Sequence, residues 1–190
     1  MRTHVLALVT CLVGCSKPGA APAPVEPAPP VATTPPARPT APAELAVPDD
    51  HKLALVAAAR GVQIYECVAE AAGALAWKLH APRADLFDPA GAKLGTHFGG
   101  VDQGLPAGPY WESTDGSRVH GGKPVSVANP GSIALLRLEA ADASGTGVLS
   151  HVSFIQRLST TGGVAPEGSC TAGQRTEVTY TAQYYFYTAP

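Results

Sequence analysis

Apolar and polar positions alternate with a period of two along several stretches of the chain, which is the signature of half-buried strands. "GVQIYECV" sets Val62, Ile64 and Val68 on one face and Gln63, Tyr65 and Cys67 on the other. "LAWKLH" groups Leu75, Trp77 and Leu79, with Lys78 and His80 opposite. "GVLSHVSFIQRLS" aligns Val148, Val152, Phe154 and Leu158. "VTYTAQYYFY" aligns Val178, Tyr180, Ala182, Tyr184 and Phe186, leaving Thr181, Gln183, Tyr185 and Tyr187 behind. "SIALLRLEA" is apolar on both faces through Leu136, as a central buried strand would be.

Turn signals separate these windows: "DPAG" at 88–91, "TDGS" at 114–117, "ASGTG" at 143–147 and "TGG" at 161–163. Short strands at this spacing predict an all-β domain, a single antiparallel β-sandwich or a barrel-like closure. "HKLALVAAAR" (51–60) is the one candidate helix, and it reads equally well as an edge strand.

Composition changes the picture upstream of residue 49. Eleven of the nineteen prolines fall between Lys17 and Pro48, among Ala and Thr and without apolar periodicity. Such a segment buries too little surface to offset its ordering entropy, which predicts an extended tether reaching up to roughly 90 Å. Before it, Arg2 and the apolar run Val5 to Val13 have the form of a signal peptide, too short to span a bilayer as a helix. The run closes on "LVGC", which resembles the lipobox of bacterial lipoproteins. That resemblance implies cleavage before Cys15, with a diacylglycerol on its thiol and an acyl chain such as palmitate on its amine. Several chains on one residue suffice for stable anchoring. Ser16 in the next position resembles outer-membrane sorting; an ordinary signal peptide is the alternative. The expected organisation is a signal peptide at 1–14, a lipidated tether at 15–48 and a β-rich domain at 49–190, held to the periplasmic side of the cell envelope by its N-terminal lipid.

With Cys11 removed and Cys15 acylated, Cys67 and Cys170 remain. In an oxidising compartment they are expected to pair, the alternative being two buried thiols. Residues 49–190 hold ten Lys and Arg against thirteen Asp and Glu, with no basic stripe, so nucleic acid is not an expected partner.

Five motifs occur in order: "GVQIYEC" (61–67), "LFDPAGAKLGTHFGG" (86–100), "YWESTDGSRV" (110–119), "FIQRLSTTGGVAPEGSC" (154–170) and "VTYTAQYYFY" (178–187). Together they resemble the domain of unknown function 3455 family of secreted bacterial and fungal proteins. The resemblance implies a secreted β-rich domain with Cys67 and Cys170 at the family's two cysteine positions, and it implies no activity. Here the usual "HFAGPTWE" is lengthened to "HFGGVDQGLPAGPYWE". Some relatives carry a dehydrogenase label, yet the chain has no G-x-G-x-x-G between strand and helix, so no cofactor is expected.

The densest group of reactive side chains is "GPYWESTDGSRVHGG" (108–122). Asp115-Gly116 predicts a two-residue hairpin turn, which would pair Trp111 with His120 and put Trp111, Ser113, Arg118 and His120 on one face. His97 and His120 flank Trp111, so folding could bring them together, with a metal site as the alternative; His97 joins the pair as a candidate ligand contact. Scattered single histidines lack the spacing of a metal site. Gln63, Tyr65, Tyr185 and Tyr187 offer rings interleaved with amides, the surface a sugar or peptide binder uses. Arg157, on the same face as Ile155, is expected in an ion pair, with a ligand clamp as the alternative. The leading expectation is therefore a non-catalytic envelope lipoprotein binding a surface glycan, peptide or protein through Trp111, His120, His97, Gln63, Tyr65, Tyr185 or Arg157. The other class is a hydrolase or lyase of envelope polysaccharide using Glu112, Asp115 and His120 as acid and base.

Overall fold

The computed structural model describes residues 36–71 and 73–190. The expected signal peptide, the expected lipidation at Cys15 and most of the expected tether lie outside the described residues. Eight strands follow one another: β1 (Lys52–Ala69), β2 (Leu75–Phe87), β3 (Lys93–Gly99), β4 (Pro109–Ser113), β5 (Arg118–Asn129), β6 (Ser132–Ser144), β7 (Val152–Gly162) and β8 (Arg175–Thr188). Each pairs antiparallel with its neighbours in sequence, and β8 returns to β1, closing an up-and-down barrel. Residues 51–60, a helix or edge strand by sequence, are strand from Lys52 onward: the first part pairs with β8 alone, and from Ala58 the strand pairs with β2 as well.

An eight-stranded barrel has room inside for packed side chains or one small ligand. Alternation turns Tyr180, Ala182, Tyr184 and Phe186 of β8 inward, large and small in succession. They meet Ala57, Ala59, Leu86, Val119, Val152 and Ile155 in the apolar core. The far end, where β2–β3, β4–β5 and β6–β7 connect, is closed by the β6–β7 connection, which buries Leu149 in the same core. The opposite end, with the longer β3–β4 and β7–β8 connections, is the mouth. There Cys67 and Cys170 form a disulfide, fastening the β7–β8 connection to β1 across a separation of 103 residues.

One stretch of the proline-rich segment is ordered. Ala43–Leu45 forms a single 3-10 turn, and Leu45 and Val47 are buried. This strap lies on the outside of the barrel, where Gln156 donates to the Leu45 carbonyl (2.6 Å) and Arg137 to that of Ala46 (2.8 Å). Tyr187, on the outward face of β8, is covered by it and donates to Gln156 Oε1 (2.7 Å). Composition marks 36–48 as spacer, but two apolar side chains suffice to dock it where the sheet offers an aromatic ring and a buried amide.

Candidate functional site

The β4–β5 hairpin fixes what faces the lumen. Its loop has three residues, not two: Ser113 N–H donates to the Ser117 carbonyl, and only Gly116 takes a positive φ (82°). A two-residue type I′ turn would need positive φ at Asp115 as well; a three-residue loop needs it only at its last position. Asp115 instead spends its carboxylate on the turn, accepting from Ser117 N–H (2.9 Å), the Ser117 hydroxyl (2.6 Å) and Val148 N–H (2.9 Å). The hydroxyl's hydrogen bond, foremost among these, pulls its pKa down to about 2.

The slip of one residue pairs Trp111 with Val119 and Tyr110 with His120. Trp111 therefore points into the barrel and His120 out of it, correcting the shared face expected for them. Outside, His120 stacks on Tyr110 at 4.2 Å, and Arg118 lies 3.6 Å from Glu112.

Inside, Trp111 is paired across strands with His97, and their rings stack at 4.5 Å and 11°. Tyr184 meets both edge-on, at 5.3 Å from Trp111 and 5.1 Å from His97. His97 Nδ1 lies 2.8 Å from the Tyr110 carbonyl. A carbonyl only accepts, so Nδ1 carries the proton and the neutral ring keeps its lone pair on Nε2. Burial drives the His97 pKa down to about 3; the Tyr110 hydrogen bond opposes this and the charge of Arg157 adds to it. Burial likewise pushes the Tyr180 and Tyr184 phenols upward, so both stay protonated.

Arg157 pairs across strands with Tyr184 and Leu136. Its Nε and Nη2 donate to the Ala134 carbonyl at 3.1 and 2.8 Å. The expected ion pair is absent: no carboxylate among the described residues lies within salt-bridge distance of it. Gln63 completes the group. It is 1 % exposed, beside Gly163, where the φ of 75° disfavours a side chain and an added Cβ would come within 2.8 Å of Tyr180 Cβ. Gln63, His97 and Arg157 line a cavity of about 250 Å³ at the mouth, with Leu79, Val101, Pro109 and Leu136 at its wall.

Five buried polar atoms of this cluster have no hydrogen-bond partner among the described residues: Gln63 Nε2 and Oε1, Trp111 Nε1, and the hydroxyls of Tyr180 and Tyr184. The Tyr180 and Tyr184 hydroxyls lie close to each other, and Arg157 close to Tyr184, near enough for hydrogen bonding to contribute to the pKa of both phenols, although none of these contacts has the geometry of a full hydrogen bond. Each orphaned group costs about 1–3 kcal/mol. Groups of this kind are retained where something else supplies the partner.

The family model for a protein of unknown function, DUF3455, matches residues 48–188. This chain belongs to the DUF3455 family. No curated protein and no solved structure matches it.

In this DUF3455 barrel the candidate residues divide cleanly. Gln63, His97, Trp111 and Arg157 come together in the lumen. Tyr65 faces inward but is spent on the scaffold, its hydroxyl donating to the Gly163 carbonyl at 2.6 Å. Tyr185 is half-buried on the outer face, and its neighbour Tyr187 lies under the strap, so no open ring-and-amide ladder exists there. Glu112 and His120 are on the outer face and Asp115 is tied into the far-end turn, so the three do not converge. Among the described residues no cluster of three or more metal-ligating side chains forms. Tyr180 and Tyr184 are the site residues not singled out from sequence. The available signal was their alternation with Ala182, small against large, as barrel interiors require.

Proposed function

We propose that this DUF3455 protein is a lipid-anchored envelope protein whose barrel is a non-catalytic binding module, taking a small ligand through the mouth into the half-polar lumen. The five partnerless atoms on Gln63, Trp111, Tyr180 and Tyr184 carry this reading. An eight-stranded barrel that needed only stability would fill the same space with apolar side chains. Instead, Gln63, His97 and Arg157 line an open cavity at the mouth, with Trp111 and Tyr184 packed against His97 further inside, and a few polar groups at an apolar cavity are what orient a ligand. No Asp or Glu lines that cavity, so it lacks the carboxylate pair that polysaccharide hydrolysis uses. The lipobox-like "LVGC" and the proline-rich tether support the anchor, and a disulfide fits an oxidising compartment.

Tyr184→Phe tests the binding role against a structural one. Removing a buried hydroxyl that has no partner raises the unfolding free energy of the ligand-free protein, by about 1 kcal/mol. If urea denaturation instead shows a loss of that size, the hydroxyl belongs to the scaffold and the binding reading fails.

A further inference from the structure

Resting on that binding reading, we infer that the lumen receives the head of an amphipathic monocarboxylate, its carboxylate on Arg157 and the Trp111 and tyrosine donors, its apolar body on the rim. Arg157 is a part-buried cation fixed by a backbone carbonyl rather than by a carboxylate. The Ala134 carbonyl uses two of its N–H groups, and a guanidinium has five. A buried charge without a counter-ion is costly, and one bound anion would neutralise it.

Donors outnumber acceptors around it, the acceptors being Gln63 Oε1 and the His97 Nε2 lone pair. Trp111 Nε1 can only donate, the two phenols stay protonated, and the Gln63 amide adds N–H donors. His97 is neutral and offers the anion no competing charge of its own. Acidic groups at the rim are themselves paired, His80 with Asp102 at 2.7 Å and Arg175 with Glu66 at 2.8 Å. One cation matches a single negative charge, and the planar guanidinium matches a carboxylate's two oxygens.

The rim supplies the second half of the ligand. Of the five large hydrophobic side chains exposed among the described residues, Leu75 (42 %), Leu79 (54 %), Val101 (49 %) and Val164 (46 %) all lie at the mouth end. Leu79 and Val101 line the cavity itself. A volume of about 250 Å³ takes a head group and a few methylenes, so a longer body must emerge across these residues. A head-in, body-out ligand explains both the polar lumen and the apolar rim, whereas a wholly polar ligand would leave the rim without a role.

The test follows the indole N–H resonances of isotope-labelled full chain, with Trp77→Phe assigning that of Trp111, while octanoate and its neutral analogue octanamide are titrated in. Octanoate should move the Trp111 resonance and bind about tenfold tighter than octanamide, the gain expected from one charge-assisted pair. Arg157→Met should bring octanoate down to the level of octanamide, and Arg157→Lys, which keeps the charge, should preserve a preference for the acid. Equal binding of the two probes would overturn the anion while leaving the binding lumen intact. Inorganic phosphate binding more tightly than octanoate would overturn it too. If neither probe moves the resonance the inference fails; if a panel of uncharged fragments also leaves it unmoved, the binding reading fails with it.

Discussion

Lowering the pH should destabilise this domain through one imidazole. His97 is held neutral inside the barrel, its pKa drawn from 6.5 to about 3 mainly by burial. In the unfolded chain the same ring protonates near its ordinary value. The unfolded state thus takes up a proton that the folded state refuses. Stability is complete above about pH 6.5 and falls as the pH drops from there toward 3. Each pH unit in that window removes about 1.4 kcal/mol, so going from pH 7 to pH 5 should cost about 2 kcal/mol. Urea denaturation at the two pH values measures it. His97→Gln is the control, because its amide can still donate to the Tyr110 carbonyl but does not titrate. The wild-type protein should lose about 2 kcal/mol more than the variant over this interval. Parallel losses in both proteins would refute a buried neutral imidazole at this position.

Other perturbations test the frame around the site. Replacing Cys67 and Cys170 by Ser opens a bridge between residues 103 apart, and the chain-entropy model puts the loss at about 4–5 kcal/mol; an unchanged urea midpoint would contradict it. Leu45→Ala removes the strap's buried anchor and should cost about 2–5 kcal/mol while exposing residues 36–48 to protease; a neutral variant would mean the strap is not docked. Asp115→Ala deprives Ser117 and Val148 of their acceptor, so the melting temperature should fall and the Val148 amide should exchange faster. Because that carboxylate ionises near pH 2 in the fold against 3.8 in a free side chain, the wild-type turn should hold its full advantage over the variant above about pH 4 and lose it progressively as the pH falls from there through 2.

Much of the fold is legible in the sequence because strands announce themselves locally. The period-two windows and the turn signals at 88–91 and 114–117 coincide with strands and hairpins of the barrel. Closure is not local: nothing within 52–60 reveals that its partner is β8, more than a hundred residues away. The hairpin at Asp115-Gly116 shows the same limit at small scale. The turn is where the dipeptide puts it, but it has three residues, and its Asp115 carboxylate accepts from Val148 N–H of a distant loop as well as from Ser117. That one residue of register decides whether His120 joins Trp111 or turns away from it. Likewise, alternation places Tyr180 and Tyr184 on one face of β8 and Tyr185 and Tyr187 on the other, without saying which is inside. Tyr187 is buried too, beneath a strap whose docking no composition rule would report. Arg157 reads as half of an ion pair, yet its partner is a carbonyl, a group that every residue carries and no sequence pattern marks.

The most direct test of the lumen as a ligand site is a high-resolution crystal structure of the protein purified from its native host. The account predicts organic density within about 3 Å of Trp111 Nε1 and the Tyr180 and Tyr184 hydroxyls, with a charged end against Arg157. A lumen in which ordered waters alone satisfy those atoms and Gln63, leaving no density for a ligand at the mouth, would contradict it.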